Sequence, residues 1–398
     1  MTHSAAFLPM ILGGHVVRAV RLCNALRERH REEVQLFWID FGRGREVYKP
    51  VYHGPNFRVH HHPFANPYNT LHQLEHLVNG RCDVLLLNGE PLECHLAVRL
   101  RQKGVRIVSV ASGATAHYMN IAKKFAGIID FHVATSTAVR AKLIELLGAD
   151  KNIRYIPTGV SWEPLLRAST LSSTVHLLYV GSLDTAIKGL DQLPELLTLL
   201  EQQSVTFEVC LIGQGPGQQE LETILTRFIA KGYVKFCGVC PIEAVWKSMA
   251  KADVFLLFSR SEGFPNALLE AMAQGAVPVV MEFGSASDAI EHGVNGFIVP
   301  QGDVAAMSRI IIELANDKSR LKELGVAAQR TISSRFTVER MADDYYRLFQ
   351  EARGLGSYSG PVPNIPLERS RLDLPWMPNW LSIGIRKIRG VIRTLEIK

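Results

Sequence analysis

Two carboxylates, Glu262 and Glu270, stand eight positions apart around the start of a predicted helix. The apolar run at 254–258 predicts a buried strand before them, and Pro265 stands where the first turn of a helix accepts proline. A helix N-terminus has free backbone N–H groups and about half a positive charge, which attracts phosphate. Acids on either side of such an anion site can accept hydrogen bonds from sugar hydroxyls. Taken singly, each glutamate would equally suit a surface role, as a first-turn acid or as the partner of a lysine.

The run from Glu262 to Val280 resembles the E-x7-E signature of retaining GT-B glycosyltransferases of family 4, the large glycogen-synthase-like group (bacterial polysaccharide glycosyltransferase group 1). Glu262 and Glu270 match the two acids of that signature. The resemblance implies that Glu262 and two backbone N–H groups hold the donor sugar, that the helix start faces the distal phosphate, and that Glu270 holds the ribose. The other residues implied in this way are Gly263 and Phe264 for the sugar, and Asn266, Ala267 and Leu268 for the phosphate.

A second loop follows another predicted strand and contains Ser182 and Lys188. A lysine just beyond a buried strand can neutralise a diphosphate as a point charge. The family resembled usually reads G-R-L-x-x-x-K-G here, with both cations on the donor diphosphate. Lys188 matches, whereas Ser182 stands in place of the arginine. This departure keeps open a relative that binds nucleotide sugars without catalysing transfer.

Three further positions give weaker signals, and the first of them, a Gly-Gly pair, is more often a plain tight turn. Gly13 and Gly14 form a Gly-Gly turn after the first predicted strand, where a ligand can approach the backbone closely. Gly213 and Gly215 match a G-x-G-P turn near the nucleotide, although a Gly/Pro-rich turn needs no ligand. His117 matches loosely a histidine that the family places near the transferred sugar, and a lone histidine is more often structural.

Short apolar runs alternate with helical patterns along the whole chain, which indicates parallel sheets covered on both faces. We predict an α/β protein of the GT-B class, with two doubly wound Rossmann-like domains facing each other across a cleft. The predicted domains are an acceptor-side domain at 1–165 and a nucleotide-sugar domain at 166–353, followed by a linker at 354–366 and a basic tail at 367–398. The predicted strands are 5–9, 34–40, 57–61, 84–88, 105–110, 131–134, 153–157, 176–180, 207–212, 234–237, 254–258, 277–280 and 297–299.

The composition is that of an ordinary globular protein, with 47% hydrophobic and 21% charged residues. No apolar run approaches the ~18–20 residues that span a bilayer, and the N-terminus lacks the features of a secretory signal. We therefore expect a cytoplasmic protein with reduced cysteines. No D-x-D pair occurs and Cys237-x-x-Cys240 has no second pair nearby, so we predict no metal site, no cofactor and no nucleic-acid partner.

The tail from Leu367 onward carries seven Lys or Arg against three Asp or Glu, so four of the chain's six net positive charges lie there. Trp376 and Trp380 precede an apolar stripe at helical spacing. Two roles fit this tail equally well. It could lie on an anionic membrane at the inner face, or it could dock as a terminal helix on its own protein.

Together these features predict a retaining glycosyltransferase that moves a sugar from a UDP- or GDP-sugar, a substrate and not a cofactor, to a saccharide or lipid-linked acceptor in surface polysaccharide or glycolipid synthesis. The resemblance implies catalytic roles for Glu262, Lys188 and His117 and a front-face mechanism, in which the leaving diphosphate helps to deprotonate the acceptor. A sugar-nucleotide epimerase on the same two-domain plan is the alternative enzyme.

Overall fold

The computed structural model describes residues 3–9, 14–40, 51–61, 65–78, 80–148, 150, 152–161, 165, 173–356, 358, 360, 378–379, 381 and 383. The chain divides into two compact units. Unit 1 consists of Met1–Thr135, Val139–Pro157 and Met341–Lys398, and unit 2 of Ser136–Ala138 and Thr158–Arg340.

Unit 1 is built around a parallel sheet whose helices follow the strands in the chain. Its elements in chain order are β1 (His3–Pro9), α1 (Gly14–His30), β2 (Glu33–Asp40), β3 (Asn56–His60), α2 (Pro67–Val78), β4 (Val84–Leu87), α3 (Pro91–Arg101), β5 (Arg106–Ala111), α4 (Ala116–Lys124), β6 (Phe131–Ala134), α5 (Thr137–Leu147) and β7 (Ile153–Tyr155). The seven strands lie in the order β3-β2-β1-β4-β5-β6-β7, so the winding reverses between β1 and β4.

Unit 2 repeats this plan with a six-stranded parallel sheet. Its elements are β8 (Val175–Val180), α6 (Thr185–Lys188), a 3-10 turn (Leu190–Gln192), α7 (Leu193–Gln202), β9 (Phe207–Ile212), α8 (Gln218–Ile224), α9 (Thr226–Ala230), β10 (Val234–Gly238), α10 (Ile242–Lys251), β11 (Val254–Leu257), α11 (Asn266–Ala273), β12 (Val277–Met281), α12 (Ala286–Ala289), β13 (Phe297–Val299), α13 (Val304–Asn316) and α14 (Lys318–Arg335). The order β10-β9-β8-β11-β12-β13 reverses between β8 and β11. The helix α15 (Val338–Arg353) follows α14 in the chain.

All thirteen predicted strands are present, each within two residues of its predicted bounds. The reason is visible in β4 and β11, where every residue is apolar and buried. A central strand of a parallel sheet is covered on both faces, so its sequence reads as a continuous apolar run. The predicted pair of doubly wound domains is confirmed.

The observed division of the chain differs from the predicted one at the last helix. The prediction placed 337–352 in the second domain, whereas α15 belongs almost entirely to unit 1. There Tyr345 and Phe349 are buried in the same core as α1, and Arg353 forms ion pairs with Glu32 and Asp83. The main change from unit 1 to unit 2 also comes earlier than predicted, after Pro157, and the short segment Ser136–Ala138 already belongs to unit 2.

The predicted linker at 354–366 and tail at 367–398 lie mostly outside the described residues. Of the tail, Asn379 lies against the start of α2, where its Oδ1 accepts hydrogen bonds from Asn66 N at 3.0 Å and Asn69 Nδ2 at 3.1 Å. This contact favours docking on unit 1, and membrane binding by the tail stays a prediction. Within the described part of the chain, no helix is long and apolar enough to cross a bilayer.

A buried ion pair in unit 1 provides a test of how its core is held. Arg101 donates to both carboxylate oxygens of Asp130 at 2.6 and 2.7 Å, and both side chains are nearly fully buried. Asp130→Ala leaves the guanidinium charged and buried, so we expect a loss of about 3–5 kcal/mol in the free energy of unfolding, measured in urea. Arg140→Ala breaks the exposed pair with Asp150 and should cost less than about 1 kcal/mol. Equal losses in the two variants would contradict this difference.

Burial also makes the stability of unit 1 depend on pH. His132 lies inside β6, and its burial lowers its pKa to about 4. The neutral ring is favoured in the folded state, so this contribution is complete above the ordinary histidine pKa of about 6.5 and is lost as the pH falls towards 4. We expect about 3 kcal/mol of the free energy of unfolding to disappear over that range. In His132→Leu the urea midpoint of unfolding should change less between pH 6.5 and 4 than it does in the parent protein. An equally steep pH dependence in the variant would refute the assignment to His132.

Candidate functional site

The candidate site in unit 2 lies where β8 and β11 end side by side. These strands pair in parallel at the point where the strand order reverses, which is where open α/β sheets bind ligands. The loops that follow them bring Lys188 and Glu262 together, with Lys188 Nζ donating to Glu262 Oε1 at 2.6 Å. Ser259 Oγ donates to the same oxygen at 2.7 Å. The lysine is 22% and the glutamate 14% exposed, so the ion pair is partly withdrawn from water.

The short helix α6 holds Lys188 in place. Asp184 caps its start by accepting a hydrogen bond from Ile187 N at 3.0 Å. Gly189 ends it so close to the next loop that a Cβ there would lie 2.3 Å from the carbonyl oxygen of Phe258. The residue after Lys188 must therefore be glycine for the two loops to meet.

Arg260 is a part of this arrangement that the sequence analysis missed. Its guanidinium donates to the carbonyl oxygens of Thr185 at 3.2 Å and Ala186 at 2.8 Å, and it forms an ion pair with Asp191 at 3.0 Å. Arg260 thereby fixes the helix that carries Lys188. Its place two residues before Glu262 was the available signal. Ser259, next to it in sequence, was missed as well.

The glycines of the turn after β9 are explained by contact between two loops. Gly213 has φ +135°, and a Cβ there would lie 1.9 Å from the carbonyl oxygen of Gly181. At Gly215 a Cβ would lie 2.6 Å from the backbone of Leu183, whose N–H donates to Gln214 O at 3.1 Å. The backbone of the turn at 213–215 therefore packs directly against the backbone of the loop that contains Ser182.

Ser182 is exposed, and its carbonyl oxygen accepts a hydrogen bond from the Tyr179 hydroxyl at 2.7 Å. Burial raises the pKa of Tyr179, and the nearby carboxylates of Glu262 and Asp184 raise it further. The Tyr179 hydroxyl is therefore neutral and fixes the loop that contains Ser182 by donating to it. Ser182 is the position at which the family resembled has an arginine.

The start of α11 supplies backbone groups beside this pair. Pro265 precedes the first helical residue, Asn266, and the Gly263 carbonyl oxygen accepts a hydrogen bond from Ser285 Oγ at 2.5 Å. Phe264 is buried with its ring 5.3 Å from that of Phe336.

Further along α11, Ala267 is half-buried, and Leu268 is fully buried and can offer only its backbone N–H. Glu270, one of the two predicted acids, is buried on the same helix. The structure thus brings Lys188, Glu262 and this helix start into one region of unit 2.

The remaining predicted site residues belong to unit 1. Gly13 lies outside the described residues, and Gly14 is exposed at the first position of α1. His117 is exposed at the start of α4, and its Nε2 lies 2.8 Å from the carbonyl oxygen of Gly89. Because a carbonyl oxygen only accepts, Nε2 carries the proton and Nδ1 is left for another partner. The described residues contain no group of three His, Cys, Asp or Glu side chains that could hold a metal ion.

The turn of Gly213 gives a test of the loop packing. Gly213→Ala forces a Cβ into the carbonyl oxygen of Gly181 at a positive φ, so the two loops must separate. We expect UDP-induced stabilisation in a thermal-shift assay to be lost or reduced at least about tenfold in apparent affinity, which corresponds to about 1.4 kcal/mol.

Gly232→Ala is the matched control, because φ is also positive there but nothing lies within 4 Å of the added Cβ. It should lower stability and leave UDP binding unchanged. A Gly213 variant that binds UDP like the Gly232 variant would contradict the close loop contact.

Comparisons with known proteins find similarity to glycosyltransferases. Residues 170–331 match the family model described as glycosyl transferases group 1. The chain is similar to the amylovoran biosynthesis glycosyltransferase AmsK of Erwinia amylovora, at 33% identity over 203 residues, 49% of this chain and 50% of AmsK. It is also similar to the putative colanic acid biosynthesis glycosyltransferase WcaL of Salmonella typhimurium, at 30% identity over 174 residues, 42% of this chain and 43% of WcaL. The matches thus span about half the length of these relatives or less.

Among solved structures, the chain is similar to HepE of Anabaena in complex with UDP and glucose. The TM-score is 0.73 at 18% sequence identity, and the match covers 88% of this chain and 100% of that one. At this identity the likeness shows the fold, and it confirms the predicted GT-B class.

Proposed function

We propose that this protein is a retaining glycosyltransferase that moves a sugar from a nucleotide diphosphate to a saccharide or lipid-linked acceptor, in the synthesis of a polysaccharide or glycolipid. The observation that carries the proposal is the Lys188–Glu262 pair beside the start of α11, at the switch point of unit 2. The match of 170–331 to glycosyl transferases group 1, the two polysaccharide relatives and the UDP in HepE support it. None of these comparisons favours an epimerase.

In this proposal Lys188 binds the donor diphosphate while it keeps its ion pair with Glu262. An ammonium group has three donors, and only the bond to Glu262 uses one in the described structure. The backbone N–H groups at the start of α11 face the same phosphate and favour negative charge. As the sugar–phosphate bond breaks, charge grows on the leaving diphosphate, and these groups stabilise it.

Glu262 serves the sugar in the same proposal. Its Oε1 accepts from Lys188 and Ser259, and no described residue donates to Oε2. That oxygen can accept a hydroxyl of the donor sugar, together with the N–H groups of Gly263 and Phe264. Glu270, buried further along α11, holds the ribose. For His117, in unit 1, the family resemblance implies a role near the transferred sugar. The diphosphate itself takes the acceptor proton in this front-face scheme, and no metal is needed.

The two members of the pair predict different losses. Lys188→Ala should weaken UDP binding at least about tenfold in calorimetry, because a charge-assisted bond to the diphosphate is lost. Glu262→Ala should leave UDP affinity unchanged or improve it, because it removes a negative charge beside the diphosphate. It should abolish the advantage of UDP-glucose over UDP, since that carboxylate contacts only the sugar. Both variants should reduce sugar transfer by about 100-fold or more.

A matched control lies in the same unit. Lys231 and Glu201 form an exposed ion pair, so Lys231→Ala and Glu201→Ala remove the same charges away from the site. Both controls should bind and turn over like the parent protein. If Lys188→Ala behaves like Lys231→Ala, the role of Lys188 is wrong. Inversion at the anomeric carbon of the product, read by NMR, would exclude the retaining mechanism.

A further inference from the structure

Arg18 is a buried cation in unit 1 for which the sequence analysis found no use. Its side chain is only 2% exposed, and it lies on the core-facing stripe of α1, four residues before Leu22 and eight before Leu26. No carboxylate among residues 14–40, 51–61, 65–78 and the other described segments forms an ion pair with it. Residues 10–13, which precede α1 in the sequence, include no Asp or Glu. A buried charge without a counter-charge is costly and calls for a physical reason.

The hydrogen bonds of Arg18 do not supply that reason. Nη1 donates to the Tyr345 hydroxyl at 3.1 Å, and Nη2 donates to Asn88 Oδ1 at 3.3 Å and Ser112 Oγ at 3.4 Å. Nε is buried and has no partner among the residues that the structure describes. Charge-assisted bonds between guanidinium and an oxyanion run at about 2.7–2.9 Å. Within the described residues, the contacts of Arg18 are therefore long, go to neutral oxygens, and leave one donor unused.

The position of Arg18 is that of a ligand site. Asn88 directly follows β4, Ser112 directly follows β5, and Arg18 is near the start of the helix after β1. These three strands are neighbours in the sheet, and the order reverses between β1 and β4. The carboxyl ends of the strands at such a reversal form the usual binding crevice of a doubly wound sheet. Ser112 is partly exposed, so the site is reached from its side.

The charges around the site favour an anion. His15 lies in the same region, and its burial, with the neighbouring Arg18 and His117, lowers its pKa to about 4. Glu93, a buried acid five residues after Asn88, uses Oε1 to accept from the backbone N–H groups of Asn88 at 2.5 Å, Gly89 and Glu90. Its Oε2 has no hydrogen-bond partner among the described residues, and burial raises the pKa of this carboxyl well above its ordinary value, which weakens it as a counter-charge to Arg18.

We propose that Arg18 is the inner end of an oxyanion site at the switch point of unit 1, with Ser112 and His117 on its more exposed side, and that this site binds the phosphate or carboxylate group of an anionic acceptor. That the bound molecule is an acceptor of the sugar rests on the proposed function. The binding of an oxyanion rests on unit 1 alone.

Thermal-shift assays with inorganic phosphate and with glucuronate test the proposal at matched ionic strength, in the presence of UDP so that a diphosphate site in unit 2 is occupied. For the parent protein we expect a rise of about 3–5 °C at an anion concentration ten times its dissociation constant. The rise identifies whether the phosphate or the carboxylate fits. Lys188→Ala, tested alongside, should keep it, which shows that the response does not arise in unit 2.

Arg18→Met should keep or raise the midpoint without added anion, because it replaces an uncompensated buried charge with apolar volume. It should also abolish the response to both anions. Arg101→Met is the matched control: this equally buried arginine is paired with Asp130, so its loss should lower the midpoint but leave the anion response. Ser112→Ala, at a partly exposed position, should fold normally and weaken the response at least threefold.

The outcomes separate cleanly. No response of the parent protein to either anion, or an undiminished response in Arg18→Met and Ser112→Ala, overturns the oxyanion site and leaves Arg18 as a cross-link between α1, β4, β5 and α15. UDP binding, measured by calorimetry in the same samples, tests the proposed function separately. Failure of one therefore does not imply failure of the other.

Discussion

The Lys188–Glu262 ion pair is the interaction on which the candidate site of unit 2 depends. Removing a lysine and a glutamate from most of their water is costly, and their mutual attraction offsets this only when the contact is short and further hydrogen bonds are made. Both conditions hold, because the pair meets at 2.6 Å and Ser259 donates to the same carboxylate oxygen. The pair can form only because the two loops after β8 and β11 touch.

Backbone packing makes that contact feasible. The loops after β8 and β11 meet where Gly189 lies against the Phe258 carbonyl. The loop after β9 meets the loop after β8 where Gly213 lies against the Gly181 carbonyl. A Cβ at Gly189 would lie 2.3 Å from the Phe258 carbonyl oxygen and one at Gly213 would lie 1.9 Å from that of Gly181, so a side chain at either position would force the loops apart. Arg260 then holds α6 from outside by its bonds to two carbonyl oxygens. The polar groups of the site are thus positioned by rigid backbone contacts, which suits electrostatic stabilisation of a leaving group.

The two units use the same sheet topology but differ in how they treat charge. At the reversal point of unit 2 Lys188 and Glu262 neutralise each other. Within the described residues, N–H donors of Lys188 and the Oε2 of Glu262 remain for a ligand. At the reversal point of unit 1 the buried guanidinium of Arg18 has neutral partners among the described residues, and the buried carboxylate of Glu93 is engaged by backbone N–H groups. The same crevice therefore offers mixed charge in one unit and positive charge in the other.

The strands and the α/β class could be predicted from the sequence, because parallel strands buried on both faces read as uninterrupted apolar runs. Glu262, Glu270 and Lys188 were singled out by their resemblance to the family signature, and their roles stay predictions. The tertiary structure alone decided that α15 packs on unit 1 and that Arg18 meets Tyr345, 327 residues away in the chain. An amphipathic pattern shows that a helix face is buried but carries no information on which sheet covers it. The three partners of Arg18 come from three separate parts of the chain, and only the folded chain brings their oxygens to one guanidinium.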